Sequence, residues 1–185
     1  IYISWGKDVE ITGNTLTSTY HGISLEYTNG GSYLIADNSL DSVYYYQILL
    51  QRLPNVTVRN NTITNARNSG ESYAGIYISN WDIYSTQAVI RGNTITGGNS
   101  PGMFLYRVSG IIDSNIVQNN NQGGIYLTGE FGYTSIDSIL YNTITGNGAP
   151  YYGIYLTGYT RPVLQYNNLH DNASYDVYNN ISASV

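Results

Sequence analysis

The sequence predicts an all-β solenoid of about seven coils, in which three short strands per coil stack in parallel on their counterparts in the next coil. Two observations support this prediction. Asparagine recurs every 22 to 32 residues with aliphatic residues at fixed offsets on both sides, and a short aliphatic–aromatic phrase recurs between the asparagines. Because the offsets are constant while the spacing varies, we expect strands of constant register joined by turns of different length.

The positions around each recurring asparagine predict two strands per coil. The residue three places before it and the residue two places after it are aliphatic in all seven repeats. The asparagine then lies at the corner between two strands, where its side chain tolerates left-handed backbone angles and can hydrogen-bond along a stack. We interpret these residues as a structural ladder: Asn14, Asn38, Asn61, Asn93, Asn115, Asn142 and Asn167.

The recurring phrase predicts one further strand in each coil, in addition to the two strands beside the asparagine. It reads GIYI at 75–78, GMFL at 102–105, and GIYL at 124–127 and 153–156. Neighbouring side chains of a strand point to opposite faces, so the central aromatic residue points outward when the flanking aliphatic residues fill the core. We therefore expect an outward aromatic stripe, interrupted at Ser24 and Leu49 and formed by Tyr2, Tyr77, Phe104, Tyr126, Tyr155 and Tyr178.

Three interpretations of this stripe remain open. Cross-strand aromatic neighbours stabilise a sheet, contiguous exposed rings form protein interfaces, and rigid rings with hydroxyl tips stack on sugars. Two long turns, residues 67–75 and 80–88, flank Tyr77, and the second contains the aromatic residue Trp81. They are either a hydrophobic plug on the rod or the wall of a sugar groove.

Composition narrows the classes of function. The chain has 185 residues, 21 of them Tyr and none Cys, and charged residues make up only 10% with a net charge of −5. The acidic balance argues against nucleic acid as a partner, and no apolar run is long enough to span a membrane. The absence of cysteine excludes disulfides and thiolate chemistry, and the composition favours an extracellular or cell-surface location.

The repeat resembles the right-handed parallel β-helix of the pectin-lyase-like superfamily, in particular the degenerate repeats of NosD-type and carbohydrate-binding or sugar-hydrolase proteins. The match is carried by GIYLTGEFGYTSIDSILYNTITGNG at 124–148 and extends over nearly the whole chain. The resemblance implies that GIYL is the first strand, that Asn142 lies between the second and third, and that polysaccharide lies across the first sheet.

Enzymes of that superfamily carry charged residues beside the first sheet, which makes the turns after this sheet the place to look for catalysis. The strongest set is Asp82, Arg107 and Glu130, since a lyase uses carboxylates for calcium and a basic residue for proton abstraction. No two acidic residues share a coil edge, however, and the charges alternate in sign: Glu26, Arg52, Asp82, Arg107, Glu130 and Arg161. We interpret them as a surface charge ladder and predict no metal and no cofactor, with calcium expected only for a lyase.

The histidines, His21 and His170, are far apart in the sequence and suggest no metal site.

These observations favour a structural or adhesion module outside the cell, which binds carbohydrate through the stripe or assembles with copies of itself end to end or side by side. The alternative is a polysaccharide lyase or hydrolase. We treat residues 1–185 as one domain and expect it to be a segment of a longer chain or assembly. Both ends consist of strand sequence, IYIS and YDVYNNISASV, so we also expect at least one end to be covered by further chain or by another subunit.

Overall fold

The computed structural model describes residues 1–27, 30–81, 86–133, 136–150 and 152–182. These residues form 22 strands and one short 3-10 helix, Glu71–Tyr73. None of the described residues belongs to a helix with the length and hydropathy of a bilayer span. In chain order the strands are β1 (Tyr2–Ser4), β2 (Val9–Thr12), β3 (Thr15–Thr17), β4 (Ile23–Glu26), β5 (Ser32–Ala36), β6 (Ser39–Asp41), β7 (Ile48–Gln51), β8 (Asn55–Arg59), β9 (Thr62–Thr64), β10 (Ile76–Ser79), β11 (Thr86–Arg91), β12 (Thr94–Thr96), β13 (Met103–Tyr106), β14 (Val108–Asp113), β15 (Ile116–Gln118), β16 (Ile125–Gly129), β17 (Ile136–Leu140), β18 (Thr143–Thr145), β19 (Ile154–Gly158), β20 (Val163–Gln165), β21 (Asn168–His170) and β22 (Val177–Ile181).

The strands form three parallel sheets that run along the rod. The first sheet has the order β1-β4-β7-β10-β13-β16-β19-β22, the second β2-β5-β8-β11-β14-β17-β20, and the third β3-β6-β9-β12-β15-β18-β21. Each strand pairs with its equivalent in an adjacent coil, so the chain is a parallel β-solenoid of about seven coils. The predicted fold class is therefore confirmed.

The three aliphatic columns of the sequence are also confirmed in their register. In the first sheet Ile76 pairs with Met103, and Met103 pairs with Ile125. In the third sheet Ile95 pairs with Val117, two places after its asparagine. These side chains meet in one continuous core inside the coil and are almost completely buried. Burial of each stabilises the fold by about 1.5–3 kcal/mol, which makes the core columns the main source of stability.

The glycine that opens the recurring phrase is required by close packing between coils. A Cβ atom on Gly124 would lie 2.4 Å from the carbonyl oxygen of Gly153, the equivalent residue one coil on. A Cβ atom on Gly102 would lie 2.3 Å from Cγ1 of Val117 in the third sheet. Only a residue without a side chain lets the chain turn from the third sheet into the first at this distance.

The asparagine ladder holds the corner between the second and third sheets. Asn142 is 1% exposed, and its Nδ2 donates to the carbonyl oxygens of Ile112 and Leu140 and to Oδ1 of Asn167, at 2.9–3.0 Å. Its Oδ1 accepts from the backbone N–H and from Nδ2 of Asn115, both at 2.9 Å. Each side chain thus satisfies buried backbone groups of the corner as well as its neighbour in the ladder.

The backbone role expected for these asparagines belongs to the preceding residue instead. The ladder asparagines do not have positive φ, whereas the residue before each of them does. The ladder position is defined by its side-chain hydrogen bonds, and the sharp turn is made one residue earlier. That left-handed column contains Gly13, Asp37, Asn60, Gly92, Ser114, Tyr141 and Tyr166, with φ between 55° and 68°.

A second, shorter asparagine ladder lies at the next corner, between the third and first sheets. Asn120 Nδ2 donates to Asn147 Oδ1 at 3.1 Å, and Asn147 Nδ2 donates to Asn172 Oδ1 at 2.9 Å. Oδ1 of Asn120 accepts the N–H of Gly98, where the ladder ends. This ladder was not predicted, although its members follow Asn115, Asn142 and Asn167 by a constant five residues.

Candidate ligand-binding face

The outward residues of the first sheet form one column along the rod. Tyr77 pairs in register with Phe104, Phe104 with Tyr126, Tyr126 with Tyr155, and Tyr155 with Tyr178. Successive ring centroids lie 5.0, 4.9, 4.9 and 5.4 Å apart, so five rings are in continuous contact. The parallel pairing of the strands places these rings one strand spacing apart.

The middle of this column is covered rather than exposed. Tyr77 and Phe104 point away from the core, yet each is only 7% exposed. They form a second apolar cluster with Leu49, Tyr106 and Ala74, and Tyr46 packs against it. Ala74 follows the 3-10 helix of the long turn 67–75, so this turn lies against the aromatic column.

Hydrogen bonds and ring contacts fix the turn 67–75 in that position. The N–H of Gly70 donates to Oε1 of Gln122 at 2.9 Å, and Oγ of Ser100 donates to the carbonyl oxygen of Asn68 at 2.6 Å. The ring of Tyr73 stacks on that of Tyr46, with centroids 5.8 Å apart. The turn divides the face of the first sheet into two open parts, one on each side of it.

The first open part is a tyrosine platform, which we define as Tyr126, Tyr152, Tyr155, Tyr175 and Tyr178. Tyr126, Tyr155 and Tyr178 are half-buried members of the column. Tyr152 stacks on Tyr178 with centroids 4.8 Å apart and an interplanar angle of 28°, and Tyr175 is 58% exposed beside it. Burial raises the pKa of Tyr126 to about 12, so its hydroxyl stays protonated at neutral pH. The platform offers flat apolar rings and neutral hydroxyl groups.

The second open part is a pocket at Ser24, where the column lacks a ring. Ser24 pairs with Tyr2 on one side and Leu49 on the other. The gap leaves a pocket of about 280 Å³ lined by Ile1, Tyr2, His21, Ser24, Glu26 and Tyr46, which we call the Ser24 pocket. The hydroxyl of Ser24 donates to Oε1 of Glu26 at 3.1 Å.

The charged residues expected in the turns after the first sheet do not form one site. Glu26 is the last residue of β4 and points onto the outer face, which corrects its placement in a turn, because the strand extends one residue further. Arg52 lies over the ring of Tyr27 with its Cζ 4.7 Å from the centroid. Arg161 is exposed, and Asp82 lies outside the described residues.

Arg107 and Glu130 are brought together in a network with aromatic side chains. The guanidinium of Arg107 forms an ion pair with Glu130 and lies over the ring of Tyr133 with its Cζ 3.9 Å from the centroid. The hydroxyl of Tyr106 donates to the same carboxylate, and the ring of Trp81 lies 4.4 Å from that of Tyr106. Trp81 itself is 56% exposed.

The groups of this network stabilise one another's protonation states. Burial alone lowers the pKa of Arg107, but the hydrogen bond to Glu130 and the neighbouring charges raise it above the usual value. The hydrogen bonds from Tyr106 and Arg107 lower the pKa of Glu130, and burial and Glu130 together raise the pKa of Tyr106 to about 12. A guanidinium held in this way is a poor general base.

The two histidines lie apart. His21 is in ring contact with Tyr20, Tyr45 and Tyr46 beside the Ser24 pocket, at centroid distances of 5.0 to 5.8 Å. His170 hydrogen-bonds Asp171 at 2.7 Å on the outer face of the third sheet. Within the part of the chain that the structure describes, no three acidic or imidazole side chains converge in the way that a metal site requires.

Sequence comparison assigns this architecture to a family. The family described as "Right handed beta helix region" matches residues 1–139 and again residues 83–184. The chain belongs to the right-handed β-helix family. No curated protein and no solved structure matches it. Family membership defines the fold of this β-helix and the hand of its coils, and its function has to be argued from its surface.

The Ser24 pocket of the β-helix was not predicted as a site, although the sequence contained a signal for it. Ser24 was recognised as an interruption of the aromatic stripe, and Glu26 follows it by two residues on the same strand. Residues two apart in a strand share a face, so a missing ring beside a carboxylate marks a polar recess on that face. The wall formed by Tyr46 comes from a turn whose position the repeat pattern does not specify.

Proposed function

We propose that this β-helix is a non-catalytic carbohydrate-binding module that acts outside the cell or at its surface. The single observation that carries the proposal is the tyrosine platform, a contiguous set of five partly exposed rings along the outer face of the first sheet and the turns that lead into it. Large contiguous aromatic surfaces are rare on monomeric proteins unless they are used.

The chemistry of the platform suits a sugar. The apolar face of a pyranose packs on a flat ring, and its hydroxyl groups bond to the tyrosine hydroxyls at the ring edges. Because successive rings lie about one strand spacing apart along the rod, an extended glycan has equivalent contacts on successive coils. Several weak contacts on a rigid surface add up when the chain spans them all.

Binding without catalysis is favoured by the arrangement of the charged groups. Among the described residues, the ion pair of Arg107 with Glu130 lies against the rings of Tyr106 and Tyr133. A lyase or hydrolase needs a general base or acid that reaches the substrate and changes its protonation near neutral pH.

The test is retention of the protein by a panel of insoluble polysaccharides. The double variant Tyr126→Ala/Tyr155→Ala should lose retention, and Tyr126→Phe/Tyr155→Phe, which keeps the rings, should largely preserve it. The matched control is Tyr141→Ala/Tyr166→Ala, which removes a stacked pair, also 4.9 Å apart, from an exposed corner outside this face. Equal loss in both alanine variants, or no retention of the parent by any polysaccharide, contradicts the proposal.

A further inference from the structure

The Ser24 pocket differs from the tyrosine platform in having a shaped recess and a charge. The hydroxyl-bearing side chain of Ser24 is only 5% exposed and forms the floor, where an aromatic ring stands in most other coils. Tyr2 stands on one side, 65% exposed, and Tyr46 on the other. A volume of about 280 Å³ lies just below the usual range for small-ligand pockets and suits one sugar-sized ring.

One aromatic wall of the Ser24 pocket, Tyr46, is held in place by a network of rings. Tyr46 stacks between His21 and Tyr73, with both centroid distances at 5.8 Å. His21 in turn contacts Tyr20 and Tyr45. Walls that are already ordered lose little conformational freedom when a ligand binds, which favours binding of a small ligand.

Glu26 gives the Ser24 pocket its negative charge. Its carboxylate accepts the hydrogen bond from Ser24, and in the described part of the chain it takes part in no ion pair. Arg52, which follows the adjacent strand β7, lies over the ring of Tyr27.

Tyr46 adds a neutral hydroxyl to this charge, and Tyr2 adds an exposed ring face. Burial, and then the charges of Tyr73 and Glu26, raise the pKa of Tyr46 above its ordinary value, so that it remains protonated. An aromatic face attracts a cation through its quadrupole, and a carboxylate beside it strengthens that preference. The Ser24 pocket therefore combines the groups that recognise an organic cation with hydroxyl groups that recognise a sugar.

We propose that the Ser24 pocket binds the protonated amine of an unacetylated amino sugar, with the ammonium group at Glu26 and the sugar ring packed on Tyr2 beside Tyr46. This inference rests on the proposed carbohydrate function, because the pocket lies on the same face of the first sheet as the tyrosine platform. It adds a selectivity that the neutral platform does not provide: preference for glycans with free amino groups.

The test is a titration of the protein with glucosamine, monitored by NMR or calorimetry at neutral pH. Glucose and N-acetylglucosamine are the uncharged comparisons, and both should bind at least about tenfold more weakly, since they lack the charge-assisted hydrogen bond.

Glu26→Gln, which keeps the shape of the side chain, should reduce glucosamine binding by about tenfold or more. Ser24→Tyr, which places a ring in the gap, should block it. Glu10→Gln, on the second sheet, is the matched control and should leave binding unchanged.

Three outcomes would overturn the inference: no glucosamine binding, binding equal to that of glucose, or full binding by Glu26→Gln. Choline is a further probe, because it carries a charge without a sugar ring; binding as tight as that of glucosamine would overturn the assignment to an amino sugar. The experiment is independent of the polysaccharide panel. If no polysaccharide of the panel retains the protein but glucosamine still binds and depends on Glu26, the platform is refuted and the pocket stands. If a polysaccharide retains the protein through the platform but glucosamine does not bind, the pocket alone is refuted.

Discussion

Tyr126 lies directly beside Tyr155 on the adjacent strand, with ring centroids 4.9 Å apart and an interplanar angle of 40°. The two residues occupy the same place in consecutive copies of the same phrase, so the repeat itself generates the contact. A pair of this kind stabilises a sheet by about 0.2–1 kcal/mol and at the same time offers two adjacent rings to a ligand.

We expect Tyr155→Ala to weaken glycan binding by about 1 kcal/mol, or about fivefold, because one ring of the platform is removed. Tyr155→Phe should bind within about twofold of the parent, since the ring remains. Affinity electrophoresis in a soluble form of the retained polysaccharide measures both. Tyr166→Ala, at an exposed corner, is the control, and a similar effect of that variant would show that the loss is not specific to the platform.

Asn142→Ala should lower the free energy of unfolding by about 3 kcal/mol, because it leaves several buried backbone groups without hydrogen-bond partners. Asn14→Ala should cost only about 1 kcal/mol, since Asn14 is half-buried at the end of the ladder and donates to Thr12 and Asn38. Urea denaturation of both variants gives the comparison. Equal losses would mean that the ladder does not depend on burial.

Gly124→Ala should destabilise the protein by about 1–3 kcal/mol, because the new Cβ atom meets the backbone oxygen of Gly153, which is held by a hydrogen bond from the N–H of Ile125. Gly129→Ala is the matched control on the same strand. There the Cβ atom would lie 3.4 Å from Cγ2 of Thr160, an ordinary contact, so stability should be unchanged or raised by up to about 1 kcal/mol. Thermal unfolding distinguishes the two, and a stable Gly124→Ala variant would refute the close packing.

Alkaline pH should destabilise the fold through tyrosines that are held protonated. The pKa of Tyr106 and that of Tyr126 are raised from 10.0 to about 12, in both cases first by burial. A tyrosine whose pKa is raised on folding stabilises the folded state fully at pH values below its pKa in the unfolded chain. This contribution is lost as the pH rises from 10 through 12.

Denaturation at a series of pH values tests this expectation, with Tyr126→Phe as the comparison. The variant lacks one of the titrating hydroxyls, so its free energy of unfolding should fall less steeply than that of the parent across this interval. Parallel curves for the two proteins would show that Tyr126 ionises freely in the folded state.

The aliphatic columns were predictable because one structural rule repeats in every coil. Ile76, Met103 and Ile125 occupy one core position, and any one of them alone would have been ambiguous. The same reasoning placed Asn142 at its corner. It assigned the left-handed backbone to the wrong residue, because asparagine suits both roles and only the geometry distinguishes the side-chain ladder from the turn before it.

The parts of the face that were missed depend on segments without periodicity. Nothing in the sequence of the turn 67–75 requires Ala74 to cover Tyr77 and Phe104, since that placement follows from hydrogen bonds to residues about 30 to 50 positions away, such as Gln122. The Ser24 pocket is shaped in the same way by Tyr46. Repeats therefore predict which residues point outward, and the turns decide which of those remain open.

The most direct measurement is a structure of the protein in complex with the shortest oligosaccharide that it retains. We expect sugar rings stacked on Tyr126 and Tyr155, with the glycan running along the rod across successive strands of the first sheet. An oligosaccharide bound on the second or third sheet, with the tyrosine platform bare, would contradict the proposed function.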